Sequence, residues 1–489
     1  MKHYLLIIGI FFSINLLGQA NEINPQEKFA VLKGKVKNNK EQEWSICLIG
    51  YFNNSIQTIP IDKKGCFETK IKLTDEYQDV YLYLNNEAYI QYLKPNDSLE
   101  INWDANDFTN SFEIKSKNNI RNREIQLLMG LHQEFWKDFL KLNKELYEIK
   151  SSDSVKFSKI NTLYNKEINF LLKDGIIKGT SEKIACDIYF RYTSVLQSER
   201  LLPHYYLKIT TPTEISNKVA VLYNKEPYKI LSEWYFNQSN EYRNFIFNYI
   251  RFFRPFDIEI PDGGISEEAP NKAPFSPCWK DYYFGLANIS LYEIRDWYVT
   301  KCIMLGFYYY SFNEVEAVYK DFLPRAKTKE YIDTLNAFYA KVSKLKPGNS
   351  APVFTLKNEK GQTVSLSDFK GKAVYIDFWG VGCPPCVSDI KNHVPALHEN
   401  NKNKDIVFLN ICVDVDETIW KSNLDKLNLH GVNLLAEGWT RHPVCRDYGI
   451  TGIPHYVLID KDGKIVNNNA PRPYQKEELQ KALDEVLAN

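Results

Sequence analysis

Between Glu27 and about Ile114 apolar and polar side chains alternate with a period of two. Phe67, Thr69, Ile71 and Leu73 interleave with Glu68, Lys70 and Lys72, and Leu99, Ile101 and Trp103 repeat the rhythm. A strand sends successive side chains to opposite faces, so this alternation predicts short strands with one buried face each. Turn signals at Lys64-Gly65 and Pro95-Asn96-Asp97 separate them, and residues 27–115 read as an all-β, sandwich-like domain.

After Asn118 the period lengthens. Leu128, Leu131, Phe135, Phe139, Leu142 and Leu146 recur by threes and fours, which is one amphipathic helical stripe. Similar patterns continue to about Leu345, broken at Leu202-Pro203 and by the Pro/Gly-rich stretch Pro255 to Pro277. Residues 118–345 therefore form an irregular all-α domain without a repeat of fixed period, and Tyr308-Tyr309-Tyr310 reads as core or groove lining within it.

A linker, Lys346-Pro347-Gly348-Asn349-Ser350, precedes a third pattern over 346–489, in which strands and helices alternate as in an α/β domain. A hairpin is expected around Gly361, a strand over 373–378, one helix from Cys383 to about Glu399, a strand over 406–413 and a helix after Asp416. A strand over 455–460, a turn at Asp462-Gly463, a strand over 464–467 and a helix from Gln475 complete it.

The start of the chain adds a compartment. Lys2, the apolar run Tyr4 to Gly18, and small Gly18 and Ala20 before Asn21 make residues 1–20 a cleaved secretory signal, with no cysteine after it for a lipid anchor. The run is shorter than the roughly 20 apolar residues of a membrane span, and later apolar stretches are broken by charges, so stable membrane insertion is not expected. Lys+Arg and Asp+Glu are both 61, which removes the basic excess that nucleic-acid binding calls for.

Export changes the reading of the 9 cysteines, because disulfides persist outside the cytosol. Nine is odd and sparse for this length, so at least one thiol is free or redox-active. Cys47 and Cys66, on adjacent expected strands, either bridge or stay as separate buried thiols, and a Cys278–Cys302 disulfide is left equally open. Cys412 and Cys445 read as buried, inert thiols.

One pair stands at a spacing with chemical use. In Ile376-Asp377-Phe378-Trp379-Gly380-Val381-Gly382-Cys383-Pro384-Pro385-Cys386 a strand ends at Trp379 and a helix begins at Cys383. Unpaired N–H groups and the positive end of the helix dipole favour a thiolate there, which lowers its pKa from about 8.5 toward roughly 3.5 to 7.5. Cys383 is thus the expected nucleophile. Cys386, one turn on and inside the helix, suits the resolving role. Pro384 and Pro385 fit a first helical turn, where a missing N–H costs little. Asp377, near the end of a central strand, is placed to take the Cys386 proton. Gly452-Ile453-Pro454 precedes a strand, and a cis bond there, which the sequence alone does not reveal, would lie over the dithiol and leave the Ile453 backbone to pair with a substrate strand.

From Pro347 onward the chain resembles the thioredoxin-like proteins of the TlpA and ResA type. The resemblance rests on Gly348-x-x-Ala351-Pro352-x-Phe354, Leu366, Phe369, Gly371-Lys372, Asp377-Phe378-Trp379 before Cys383-x-x-Cys386, Tyr448 to Pro454, and Ile459 to Ile465. It implies a thioredoxin fold and an exported thiol:disulfide oxidoreductase of the protein-disulfide reductase type. It also implies Cys383, Cys386, Asp377 and Pro454 as catalytic positions, with Ile453, Trp379, Pro384, Pro385 and His455 contacting substrate. No cofactor beyond the Cys383–Cys386 dithiol is expected, and no metal. Protein disulfides are the expected partners, with a membrane electron-relay protein as reductant. The departures are Gly382 in place of the usual Trp and His455 in place of Thr or Ser, the latter setting a possible imidazolium near the thiolate. The stretch before Asn118 resembles, more weakly, the β-domain ahead of thioredoxin domains in exported Bacteroidetes-type proteins.

Rival readings are weaker. A structural zinc site needs four ligands, and no second Cys-x-x-Cys or His-x3-His is present. Peroxiredoxin chemistry needs Pro-x-x-x-Thr/Ser-x-x-Cys, whereas Ile376 and Gly380 occupy those places. A binding module with a vestigial dithiol conflicts with the intact Cys383, Cys386, Asp377 and Pro454. His393 and His398 are expected to face solvent, Asp414, Asp416 and Glu417 to cap a helix, and Asp460 to Gly463 to form a hairpin turn.

Overall fold

The computed structural model describes residues 28–41, 43–84, 87–148, 152–173, 180–198, 232–253 and 277–488. The expected signal segment, the Leu202-Pro203 break and the Pro255–Pro277 stretch up to residue 276 lie outside them. Two compact units emerge. One takes the described residues up to Phe253 together with Tyr283–Tyr298, and the other takes 277–282 with Val299 onward. The cut differs from the three-part division read from the pattern, because helices are shared between a β-containing unit and an α/β unit.

In the first unit the alternating segments form β1 (Lys28–Lys37), β2 (Glu43–Leu48), β3 (Ser55–Pro60), β4 (Cys66–Leu73), β5 (Gln78–Leu84), β6 (Glu87–Leu93), β7 (Ser98–Asp104) and β8 (Glu113–Ser116). They make two four-stranded sheets, ordered β4-β1-β7-β8 and β3-β2-β5-β6. Leu32, Ile46, Ile71, Leu82 and Ile101 fill one core, while Glu68, Lys70 and Lys72 of β4 stay outside. Gly34 faces Ile101 in the parallel β1–β7 pair, and a Cβ there would stand 1.7 Å from the Ile101 carbonyl oxygen, so only glycine fits. Cys47 on β2 and Cys66 on β4 lie in different sheets and both thiols are free, which corrects their expected adjacency. Chain order does not set strand order in a two-sheet fold.

The helical stripe is confirmed in the 30-residue helix Asn119–Glu148, where Leu131, Phe139, Leu142 and Leu146 are buried and Leu128 and Phe135 half-buried. Helices Asp153–Lys173, Thr180–Ser198, Glu233–Gln238 and Asn240–Phe253 follow. Lys183, buried on Thr180–Ser198, bonds Asp79 of β5 and Asp187, each at 2.7 Å. The unit's helices and strands are thereby joined by buried charge as well as by apolar packing.

The second unit holds helices Phe312–Phe322 and Lys329–Val342 and a seven-stranded sheet. Its strands are β9 (Thr355–Asn358), β10 (Thr363–Ser365), β11 (Ala373–Trp379), β12 (Ile406–Cys412), β13 (Val432–Leu435), β14 (His455–Ile459) and β15 (Ile465–Asn467), ordered β10-β9-β13-β12-β11-β14-β15. Every residue of β11 is buried, as expected of a central strand covered on both faces. It runs parallel to β12 and antiparallel to β14. The single helix expected from Cys383 to Glu399 is two, Pro384–Asn392 and Val394–Asn401, because Pro395 has no N–H to continue the ladder. Residues 346–350 are no free linker: Gly348 N–H bonds the Ile465 carbonyl and Ile465 N–H bonds the Asn349 carbonyl, both at 2.8 Å. Together these elements are a thioredoxin-type α/β domain, with an all-β and an all-α region before it.

Candidate active site

β11 ends at Trp379, three residues turn, and Cys383 caps the helix Pro384–Asn392. Its sulfur accepts a hydrogen bond from the Cys386 N–H at 3.2 Å, so the thiol occupies the place of a capping oxygen. Pro384 and Pro385 fill the first turn, both exposed. Cys383 and Cys386 are joined in a disulfide, with Cα atoms 5.3 Å apart. Cys383 retains 7% of its surface and Cys386 none, so the first residue keeps slight exposure and the second is enclosed.

Asp377 lies in β11 between Asn410 and Tyr456. It is 3% exposed and neither carboxyl oxygen has a hydrogen-bond partner. Burial pushes its pKa well above the usual carboxylate range; Asp389 pushes it further and Arg472 offsets part of this. Asp389 is itself buried, paired with Arg472 at 2.8 Å and bonded by the Tyr456 hydroxyl at 3.1 Å. These partners lie 83 and 67 residues away in the chain, a separation that no local motif reports.

The Ile453-Pro454 peptide is cis. Ile453 packs on the cluster formed by Cys383, Cys386, Trp379 and Cys412, and its backbone precedes the β14 ladder, which begins at His455. The dithiol, Asp377, Ile453 and Pro454 thus belong to one end of the central strands. Two expectations are corrected. Trp379 is wholly enclosed, so it floors the dithiol and cannot touch substrate. His455 is half-buried with its Nε2 enclosed and unpartnered, and burial pushes its pKa down to about 4, so the ring is a neutral imidazole at neutral pH.

Other residues move as well. His398 is half-buried, stacked on Phe408 at 4.4 Å, and its pKa is lowered by burial and by His430. His393 is half-buried too, at the junction of the two helices. Cys412 and Cys445 are buried free thiols, pushed up by burial. Of the acidic group, Asp416 does cap the helix Glu417–Leu427, accepting from Ile419 N–H at 3.0 Å. Asp414 does not. It accepts from the Val381 and Gly382 N–H groups at 2.9 and 2.7 Å, immediately before Cys383, a role hidden because its partners lie 33 and 32 residues upstream.

A family model described as Redoxin matches residues 346–486. The thiol-disulfide oxidoreductase ResA of Bacillus cereus (strain ATCC 10987 / NRS 248) is 28% identical over 149 residues, covering 30% of this chain and 83% of that protein. ResA of Bacillus anthracis is 33% identical over 130 residues, covering 26% of this chain and 72% of its own. Among solved structures, the thioredoxin domain of a thiol-disulfide oxidoreductase from Bacteroides vulgatus is 30% identical, covers 29% of this chain and 97% of that one, and has a TM-score of 0.26. Through its C-terminal domain the chain belongs to the ResA/TlpA-like thiol-disulfide oxidoreductases of the thioredoxin superfamily.

Proposed function

We propose that the protein is an exported reductase of protein disulfides that works through Cys383 and Cys386. The observation that carries the reading is the pairing of a slightly exposed Cys383 at a helix N-terminus with an enclosed Cys386. The signal-like residues 1–20 support export, and no described helix is long and apolar enough to cross a membrane.

In the reaction the Cys383 thiolate attacks one sulfur of a substrate disulfide. A Cys383–substrate bond forms, the substrate S–S bond breaks, and the first substrate sulfur leaves as a thiolate that takes a proton from water. Cys386 then gives its proton to Asp377 in its ionised form, whose raised pKa makes it a strong enough base for a thiol, and attacks the Cys383 sulfur. The second substrate thiolate leaves, two electrons have passed to the substrate, and the Cys383–Cys386 disulfide remains. A membrane electron-relay protein returns two electrons by opening that disulfide, and Asp377 returns the proton to the Cys386 sulfur. Ile453, ahead of the β14 ladder, offers its backbone to an extended substrate segment, and Pro384 and Pro385 line the approach.

Iodoacetamide alkylation of the reduced protein against pH tests the nucleophile. Cys383 should react with an apparent pKa between about 3.5 and 7.5, and a value near 8.5, that of free cysteine, would remove the basis of the reading. Cys386→Ala should hold a peptide disulfide substrate as a stable mixed disulfide on Cys383. The direction follows from equilibration with glutathione: a reductase lies nearer the about −270 mV of thioredoxin than the about −120 mV of DsbA.

A further inference from the structure

The loop that delivers Cys383 is built around Asp414. This carboxylate follows the end of β12, and its two oxygens take the two successive N–H groups of Val381 and Gly382 at 2.9 and 2.7 Å. The Cys412 thiol points at the same carboxylate, 3.6 Å from Oδ1. Of the glycines on either side of Val381, Gly380 has no room for a side chain on that face and Gly382 has little. A Cβ on Gly380 would stand 2.6 Å from Asp414 Oδ2 and 2.7 Å from Ile453 Cδ1, and a Cβ on Gly382 would stand 3.2 Å from Oδ2. Gly382 is the residue whose amide closes the carboxylate clamp one position before the nucleophile.

We propose that Asp414 is a positioning residue for the dithiol, clamping the Gly380–Gly382 loop and holding a carboxylate against the amide that directly precedes Cys383. Two consequences follow from one group. The clamp orders the loop between β11 and the active-site helix, so Cys383 reaches its capping position without a search. The charge opposes the thiolate that the helix N-terminus favours, which moderates the nucleophile and stabilises the disulfide relative to the dithiol. Asp414 touches neither substrate nor sulfur of the redox pair; it acts through the two amides and through its field.

The inference rests on the reading of Cys383 as nucleophile, and the two fail separately. The wild-type alkylation profile judges that reading, whereas the difference between wild type and variant judges Asp414. Asp414→Asn keeps the shape, removes the charge and turns an amide N–H₂ toward a backbone donor. In the full-length reduced protein it should lower the Cys383 pKa by about half a unit to one unit, raising alkylation by roughly three- to tenfold at a pH well below the wild-type apparent pKa. The midpoint potential should rise in step, because the thiolate form is less opposed. Asp414→Ala should shift both further in the same sense if it folds, and Asp414→Asn decides the matter if it does not. A folded Asp414→Asn protein with an unmoved or raised Cys383 pKa and an unmoved potential overturns the proposal.

Discussion

A carboxyl group enclosed on a central strand, with neither oxygen hydrogen-bonded, holds its proton well above the usual carboxylate range, and once ionised it is a correspondingly stronger base. Asp377 is that group, and its elevated pKa has a definite thermodynamic sign. Above the ordinary value of 3.8 the unfolded chain has released this proton while the native state keeps it. The native state then binds more protons, so folding stability falls as pH rises, by about 1.4 kcal/mol per pH unit until the native pKa is passed. Asp377→Asn removes that slope. Its melting temperature should exceed that of the wild type at pH 8 and approach it toward pH 4, as differential scanning calorimetry of the disulfide form would read. The same change leaves Cys386 without its proton acceptor. Single-turnover reduction of a peptide disulfide should then slow in the resolving step, by about 10²- to 10⁴-fold, while mixed-disulfide formation at Cys383 keeps its rate. Equal slowing of both steps would count against a role specific to Cys386.

At the scale of elements, the short segment before the thioredoxin-type domain does more than connect. Leu345 is buried in the core that includes Phe354, Phe378, Tyr448 and Ile450, and a Cβ on Gly449 would come within 3.4 Å of its Cδ1. Tyr308, within the helix Tyr292–Tyr309, shares a side-chain hydrogen bond with Thr451, two residues before Ile453. The turn that carries the cis-proline is therefore backed by residues outside the stretch 346–486 matched by the family model. Leu345→Ala should cost about 2–5 kcal/mol by the lost burial and the cavity left behind. Urea unfolding monitored by tryptophan fluorescence reads it, and a loss below about 0.5 kcal/mol would mean that the segment is only a tether. The pattern along the chain shows some of this and hides the rest. β11 is legible because a seven-residue apolar run that contains one Asp and leads to Cys-x-x-Cys fits a buried central strand and little else. β13 is only Val432–Leu435, too short for any periodicity to reveal. The packing of Leu345, the Asp389–Arg472 pair and the Asp414 clamp depend on which distant segments meet, and spacing is blind to that.

For the whole molecule, the matched relatives reach about a third of the chain or less, so the first unit has to be understood from its own forces. Among its buried charges is Lys183, which is 1% exposed. Burial by itself would lower the Lys183 pKa, but Asp187 and Asp79 outweigh it and hold the ammonium charged. Both partners lie in the first unit, as does Ser239, which bonds Asp187. Lys183→Met keeps the length of the side chain and removes the charge, leaving two carboxylates facing each other in a largely desolvated place. The loss should be about 3–5 kcal/mol near neutral pH, the range for breaking a buried pair from one side. It should also depend on pH. Without the ammonium the carboxylates hold protons more tightly in the native state than in the unfolded one, so the variant's deficit grows from pH 5 to pH 8. Adding Asp187→Asn should recover part of it, a coupling that a double-mutant cycle isolates. The Cys383 alkylation profile at 25 °C provides the internal control, since the dithiol belongs to the other unit. A deficit that is flat with pH and unrelieved by Asp187→Asn would show that Lys183 contributes packing alone.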